Sequence, residues 1–470
     1  MLNAIFFFVY KKKYVFLQKF FITNVIIMAT IEKICTGGFR NIKSISLDFK
    51  SQMISLLAPN NYGKSNVLDA IMFGYSFIRN SSEIKTRMMS DISCISINKY
   101  IAGNPFFFEI EGSVDESFDF KYRYSFEWKI RKNGGTEYRD GRIAEEYLGI
   151  RNNNDVKPKF LALINRTDSE NAKYNPSETG RCSKEIAISP AELVLNKLSN
   201  YDDWYYIKFA KAILNIRIGS IDSLSNPEEH FGISVNVGPN NKIIRIENSI
   251  AESFYNIQKN DKNSYEFLVS SIKNLVPAIE KIDAKPIQLK NKTLDKNIPF
   301  ELPDQFQIMV KEKNNNQSTP FQFLSTGCMK VMYLLLAVLK AQKEGYSVLI
   351  VEEMENSVHP KLLQSLLSTI CDFIGETRLI FTSHSPNLAQ YLNASQLYVG
   401  LPSPKGIVDF KTLKPSRVHS ALKIAGSGDM SLGEYLFQLM LDMDNDSDLV
   451  EYLFGKTEMV EGGTDGKEKE

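Results

Sequence analysis

Hydrophobic positions follow three patterns along this chain, and each predicts a kind of element. From Phe118 to Ile130 the side chains Phe118, Phe120, Tyr122, Tyr124, Phe126, Trp128 and Ile130 alternate with Asp119, Lys121, Arg123, Ser125, Glu127 and Lys129. A period of two belongs to a strand with one aromatic and one polar face. The aromatic face is expected to be the buried side of a sheet, not a ligand platform. Residues 106–164 as a whole read as antiparallel strands, with Asn133-Gly134-Gly135 as a hairpin turn. Ile31 to Phe49 reads as strand, turn, strand, with the break at Gly37 and Gly38.

Short apolar runs make up the second pattern. Met53–Leu57, Ser347–Val351 and Leu379–Ser383 suit strands buried on both faces. Helical spacing is the third. It marks Asn66–Ile78, Pro190 to about Ile216 (Leu193, Leu195, Leu198, Tyr205 and Phe209 on one face), residues 249–282, and Leu432–Leu441. Residues 165–190 read as a polar loop and 226–245 as irregular or weakly stranded. No heptad pattern is sustained, so no long coiled-coil arm is expected. The stretch from Glu461 is acidic and rich in Gly and Lys.

The apolar runs carry the candidate chemistry at their ends. Met53–Leu57 leads into Ala58-Pro59-Asn60-Asn61-Tyr62-Gly63-Lys64-Ser65 and then a helix opening at Asn66. Strand, glycine-containing loop and helix are the setting a phosphate-binding loop requires. Backbone N–H groups of Asn60, Asn61, Tyr62, Gly63 and Asn66 would cradle phosphate oxygens at the helix N-terminus. Lys64 would reach the β- and γ-phosphates, and the Ser65 hydroxyl would sit on Mg²⁺. Ala58 stands where a glycine is usual, which requires a negative φ there. Roughly 280 residues later, Ser347–Val351 ends in Glu352-Glu353. Glu352 suits the metal side, and Glu353 suits a general base for an attacking water. Upstream, Leu324-Ser325-Thr326-Gly327 opens a helix carrying Lys330; downstream, Leu379–Ser383 ends in His384-Ser385-Pro386.

Phosphate loop, Ser-x-Gly turn, acidic strand end and strand-end histidine, in that order, resemble the ABC-type ATPases of the RecF/SMC and OLD-like class, including the AAA-type ATP-binding proteins found in anti-phage defence. In that class these elements are Walker A, the signature, Walker B and the switch histidine. Phe39-Arg40-Asn41-Ile42 resembles the opening strands beside the adenine, which makes Arg40 a nucleotide-side residue. Glu355-Asn356 with His359-Pro360 resembles the segment that crosses the dimer interface. The resemblance covers roughly residues 29–78 and 295–400.

It implies an α/β P-loop NTPase of the ABC-head type, with an antiparallel β subdomain and a helical insertion. The divisions expected are an extension at 1–27, an N-terminal lobe at 28–165, a mainly helical insertion at 166–294, a C-terminal lobe at 295–400 and a C-terminal extension at 401–470. The cofactors implied are ATP and Mg²⁺. The assembly implied is at least a dimer bridged by ATP, with Ser325 and Gly327 on the γ-phosphate held by the other copy. Glu353 and His384 would serve hydrolysis. Two departures point to slow or partner-dependent turnover. Glu352 stands where Asp is usual, and no glutamine lies between Gln52 and Gln258 to fill the Q-loop.

Composition narrows the output of this engine without choosing it. The formal net charge of +1 provides no global field for nucleic acid or anionic lipid, so nucleic-acid binding stays open. Five scattered cysteines show neither zinc spacing nor a disulfide framework, which suggests a reducing cytoplasmic compartment. In residues 1–27 the apolar stretch is cut by Lys11, Lys12 and Lys13, short of the roughly 18–20 residues a membrane span needs. That segment reads as an appendage or translated upstream sequence with Met28 as the start, and no membrane role is expected. Met459–Asp465 resembles the opening of a TOPRIM nuclease without a preceding apolar strand, and Asp442, Asp444, Asp446 and Asp448 read as a solvated helix end. No intrinsic nuclease is expected. The leading expectation is an ATP-dependent sensor or scaffold in bacterial anti-phage defence with a separate effector; the alternative is a RecF-like DNA-repair ATPase.

Overall fold

The short apolar runs converge in one sheet, although they come from opposite ends of the chain. A computed structural model describes residues 29–90, 95–115, 117–131, 138–139, 141–156, 158–167, 171–221, 234–237, 243–247, 250–287, 305–402, 405–441 and 447–455. In it, a six-stranded sheet runs in the order Ile218–Ile221, Val348–Val351, Arg378–Ser383, Met53–Leu57, Leu397–Pro402, Val408–Lys411. The first five strands are parallel and the last is an antiparallel edge. Every residue of Met53–Leu57 and Val348–Val351 is buried, as befits parallel strands covered on both faces.

The second sheet has eight strands and is antiparallel throughout. Its order is Lys184–Ala187, Asn171–Tyr174, Leu161–Arg166, Arg142–Asn152, Phe118–Glu127, Phe106–Val114, Ala29–Phe39, Ile42–Asp48. Helix Lys64–Arg79, which starts at the phosphate loop, packs on this sheet. Phe77 stacks on Tyr124 and Phe126 with centroids 5.1 and 4.9 Å apart, and Tyr124 Oη donates to the Gly74 carbonyl at 2.7 Å. A Cβ on Gly74 would lie 2.3 Å from Phe108, so only glycine lets the helix approach this closely. The aromatic stripe is therefore buried core, as its alternation predicts: Phe120, Tyr122, Tyr124 and Phe126 have no exposed surface.

A third unit packs on the C-terminal helices. Strands Ile279–Ile287, Gln305–Glu312 and Thr319–Pro320 form a small antiparallel sheet beside helices Ile250–Asn260 and Lys262–Leu275. Asp261 caps the second of these helices and pairs with Lys343 at the end of helix Thr326–Lys343. Phe267 stacks on Phe373 of helix Pro360–Ile374 at 4.5 Å.

Several local expectations are corrected. The first hairpin breaks at Arg40-Asn41, between the partners Phe39 and Ile42, and not at Gly37-Gly38. Those glycines are in the strand because a Cβ would meet the Lys43 carbonyl oxygen at 2.2 Å or the Pro105 carbonyl oxygen at 2.1 Å. The long aromatic strand ends at Glu127, where the Trp128 indole N–H turns aside to donate to the Gly38 carbonyl at 3.0 Å. Residues 165–190 are not all loop: Asn171–Tyr174 and Lys184–Ala187 extend the antiparallel sheet, with Ala172 and Tyr174 facing inward. The segment 166–294 mixes helices with strands and lends Ile218–Ile221 to the parallel sheet. Residues 190–216 hold two short helices, Val194–Leu198 and Ile207–Leu214, so the helical register does not carry through and Tyr205 is 53% exposed. Helix Lys262–Leu275 stops ahead of Pro277, whose ring disfavours helix before it, and a strand follows. The weak strands expected at 226–245 are present, as Ser234–Val237 and Ile243–Glu247, the second running two residues further. Residues 1–27, Asn133–Gly135, Asp442, Asp444, Asp446 and Met459–Asp465 lie outside the described residues.

On helix Ser82–Ser90, Lys85 is 1% exposed, donates to Asn196 Oδ1 at 2.6 Å and lies 5.8 Å over the Phe77 ring. Burial pushes its ammonium down to about 8. The unfolded chain keeps this proton to about pH 10.4. Between pH 8 and 10 the unfolded state therefore binds more protons, and this lysine makes stability rise with pH. We expect Lys85→Met to flatten that rise, measured as urea midpoints at pH 7.5, 8.5 and 9.5. Parallel curves for the two proteins would contradict it.

Candidate nucleotide site

Parallel strands deliver their C-terminal ends to one edge, and sheet register sets which ends meet. Leu57 is level with Ser383, and Val351 with Phe381. The phosphate loop, Glu352-Glu353 and His384 therefore leave the sheet side by side. This is the crevice where open α/β sheets bind ligands.

The loop has the backbone a phosphate cradle needs. Asn61 has φ 67° and Gly63 has φ 82°, and Gly63 caps helix Lys64–Arg79. Ala58 is not among the residues with positive φ, which satisfies the condition set by its sequence. It is fully buried, and its methyl packs where Gly400 leaves room: a Cβ on Gly400 would lie 2.9 Å from it. Lys64 is 8% exposed, and its Nζ donates to the carbonyls of Ala58 (2.7 Å) and Pro59 (3.0 Å). Burial lowers the affinity of Lys64 for its proton, while Glu355, Glu353 and Glu352 oppose that effect.

Around the loop, Arg40 donates to Asn66 Oδ1 at 2.8 Å and pairs with Asp69. Asn66 Nδ2 donates to Asn41 Oδ1 at 2.7 Å. The hairpin turn, with Arg40 at φ 47°, is thereby tied to the first turn of the loop's helix. Ser65 Oγ lies 3.2 Å from Glu352 Oε2. A hydroxyl and a carboxylate form a hard oxygen pair that suits Mg²⁺, which keeps most of its water and phosphate ligands. Among the described residues, no cluster of three or more His, Cys, Asp or Glu competes as a metal site.

Glu353 has φ 46°, a left-handed backbone for a non-glycine residue. Two contacts hold it there. Its N–H donates to Thr382 Oγ1 at 2.9 Å, and its carbonyl accepts from Lys330 Nζ at 2.9 Å. The Asn356 amide donates to its carboxylate. Lys330 has no exposed surface, and burial pushes it down to about 8. Glu355 is buried, accepting from Ser383 Oγ at 2.9 Å and from the His384 N–H at 2.8 Å. The structure thus gathers Arg40, the 60–66 loop, Glu352, Glu353 and His384. Ser325 and Gly327 stand apart: Ser325 caps helix Thr326–Lys343 and is exposed. Among the described residues, no hydrogen bond joins either to the phosphate loop.

A family model described as "AAA domain, putative AbiEii toxin, Type IV TA system" matches residues 59–389, from the phosphate loop to just beyond His384. The chain belongs to that family. This AAA-family chain is also 24% identical to the DNA replication and repair protein RecF of Lactobacillus johnsonii over 371 residues, spanning 73% of this chain and 90% of the relative. RecF of Lactobacillus gasseri is 23% identical over 369 residues, with the same coverage. Among solved structures, an Smc head bound to the C-winged helix domain of ScpA covers 83% of this chain and 99% of its own at TM-score 0.40 and 14% identity. The SMC head domain from Thermotoga maritima covers 82% and 99% at TM-score 0.36 and 10% identity. The family, its RecF relatives and the two-sheet architecture make this an ABC-type, RecF/SMC-like protein.

Sequence reasoning missed Thr382, gave Lys330 no role, and read Glu355 only as part of a dimer-interface segment, not as a partner of His384. No motif marks Thr382; it becomes relevant only through its register beside Glu353. Thr382→Val removes the acceptor of the Glu353 N–H at constant shape. We expect a stability loss of about 1–3 kcal/mol by chemical denaturation, the cost of a buried unpaired donor. A loss below about 0.5 kcal/mol would mean that Glu353 holds its backbone unaided.

Proposed function

We propose that this chain is an ATP-binding and ATP-hydrolysing ABC-type switch whose complete site forms between two copies. The observation that carries the reading is the contact between Ser65 and Glu352, 287 positions apart, at the strand ends beside a buried Lys64. Mg²⁺ there would neutralise phosphate charge. Ser65 and Glu352 hold its inner shell or the water around it. Lys64 exchanges its two carbonyl partners for phosphate oxygens, gaining charge-assisted hydrogen bonds. Arg40 and Asn66 fix the loop against the opening hairpin on the nucleotide side. Glu353, aimed by its left-handed backbone, accepts the proton of the attacking water, and His384 lies beside it at the γ-phosphate position. The Ser325 cap is exposed and Gly327 half-buried, which leaves the serine side open to ATP held by a second copy.

For its output we favour an ATP-gated sensor or scaffold that controls a separate effector in anti-phage defence, in keeping with the toxin–antitoxin wording of the family's description. A second reading, a RecF-like DNA-repair ATPase, is favoured by RecF relatives that align over 90% of their own length. Among the described residues no helix is long and apolar enough to cross a membrane.

ATP binding and turnover by wild type, Lys64→Ala and Glu353→Gln, each with and without DNA, test these roles. Lys64→Ala should lose ATP binding. Glu353→Gln should keep ATP binding and lose turnover by about 100-fold or more. Wild-type turnover by Glu353→Gln would remove it as the base. Stimulation by DNA would select the RecF-like output; indifference would favour the effector switch. Ser325→Arg and Lys64→Ala, each inactive alone, should regain turnover when mixed, because one of the two sites in a mixed dimer is intact. Inert mixtures would argue against the shared site.

A further inference from the structure

Glu355 contacts no candidate position for nucleotide or metal directly, yet it is 8% exposed and faces His384. Its Oε1 accepts from Ser383 Oγ at 2.9 Å and from the His384 backbone N–H at 2.8 Å, and lies 3.3 Å from His384 Nδ1. That last approach is too far out of line to count as a hydrogen bond. It leaves two buried atoms of this pair without a partner, His384 Nδ1 and Glu355 Oε2. Buried polar atoms left unpaired are costly, and here a small turn of the imidazole pairs Nδ1 with the carboxylate. Catalytic hydrogen bonds often align only in the reacting complex.

A carboxylate can only accept, so the pairing requires the proton on Nδ1. The other ring nitrogen, Nε2, is then the lone-pair acceptor, on the part of the ring that keeps the His384 side chain 35% exposed. We propose that Glu355 is a positioning residue that holds His384 as its Nδ1–H tautomer and presents Nε2 to the γ-phosphate side of the site. The proposal deepens, and rests on, the ATPase reading above. Two cations share the electrostatic reach of Glu355: Lys64 on the phosphate loop and Lys330 on helix Thr326–Lys343. Glu353 adds a second negative group beside them. The carboxylate nearest the ring is the one whose removal should matter most.

The test is nitrogen NMR of the full chain labelled at its four histidines, with His384→Gln assigning the signal. Wild-type His384 should show the Nδ1–H tautomer. In Glu355→Gln the ring should lose that preference, because the carboxylate that accepts from Nδ1–H is gone. In the same variant kcat should fall at least about tenfold while ATP affinity stays within about threefold, and Glu355→Asp should recover part of kcat. Wild-type His384 carrying its proton on Nε2 overturns the proposal, whether or not Glu355→Gln folds. So does a folded Glu355→Gln with its tautomer unchanged. The tautomer is read without turnover, so the two readings fail separately. An Nδ1–H ring in a wild type that hydrolyses no ATP sinks the ATPase reading and leaves the pairing. Turnover with an Nε2–H ring does the reverse.

Discussion

The parallel pairing of Met53–Leu57 with Arg378–Ser383, and of that strand with Val348–Val351, is the constraint on which everything else in the site depends. Each strand is short and apolar, and none of them brings chemistry by itself. Their common direction sends three chain exits to one edge, and their register puts Ala58, Glu352-Glu353 and His384 within a step of each other. A slip of one residue in any pair would turn the side chains to the opposite face and break the Ser65–Glu352 contact. The buried Val348–Val351 strand makes such a slip costly, because every one of its side chains already has an apolar site.

The aromatic sheet plays a supporting part. It presents a layer of rings to helix Lys64–Arg79, and Gly74 lets that helix settle onto Phe108. The first turn of the same helix holds Lys64 and Ser65. The orientation of the phosphate loop is thus set at both ends, by the parallel sheet before it and by the aromatic layer after it. Arg40, Asn41 and Asn66 add a polar clasp between the opening hairpin and this helix.

Where periodicity was strong, the fold was legible: the alternating aromatic strand, the apolar runs and the phosphate-loop helix all lie where their spacing puts them. The loop and the acidic strand end could be read because their function demands fixed residue types at fixed spacing. Legibility failed where tertiary partners decide the outcome. Asn171–Tyr174 and Lys184–Ala187 have too few apolar residues to announce a strand, and become strands only because an open sheet edge pairs them. Gly37 and Gly38 look like a turn in one dimension and prove to be clearances for neighbouring carbonyls in three. Thr382 is an ordinary strand residue until register sets its hydroxyl under the Glu353 N–H. Glu355 lies inside a motif, but its partner His384 is 29 positions away.

Lys330, itself without exposed surface, joins helix Thr326–Lys343 to the strand end through its bond to the Glu353 carbonyl. With no solvent to replace that partner, breaking the bond would strand a cation in the interior. Helix Thr326–Lys343 and the Glu353 backbone therefore travel as one body. At its other end, the same helix is held to the insertion through Lys343 and Asp261. Ser325 at one end of this 18-residue helix, about five turns long, and the insertion at the other are both tied to the Glu353 backbone. The helix is thus a lever with its fulcrum inside the core.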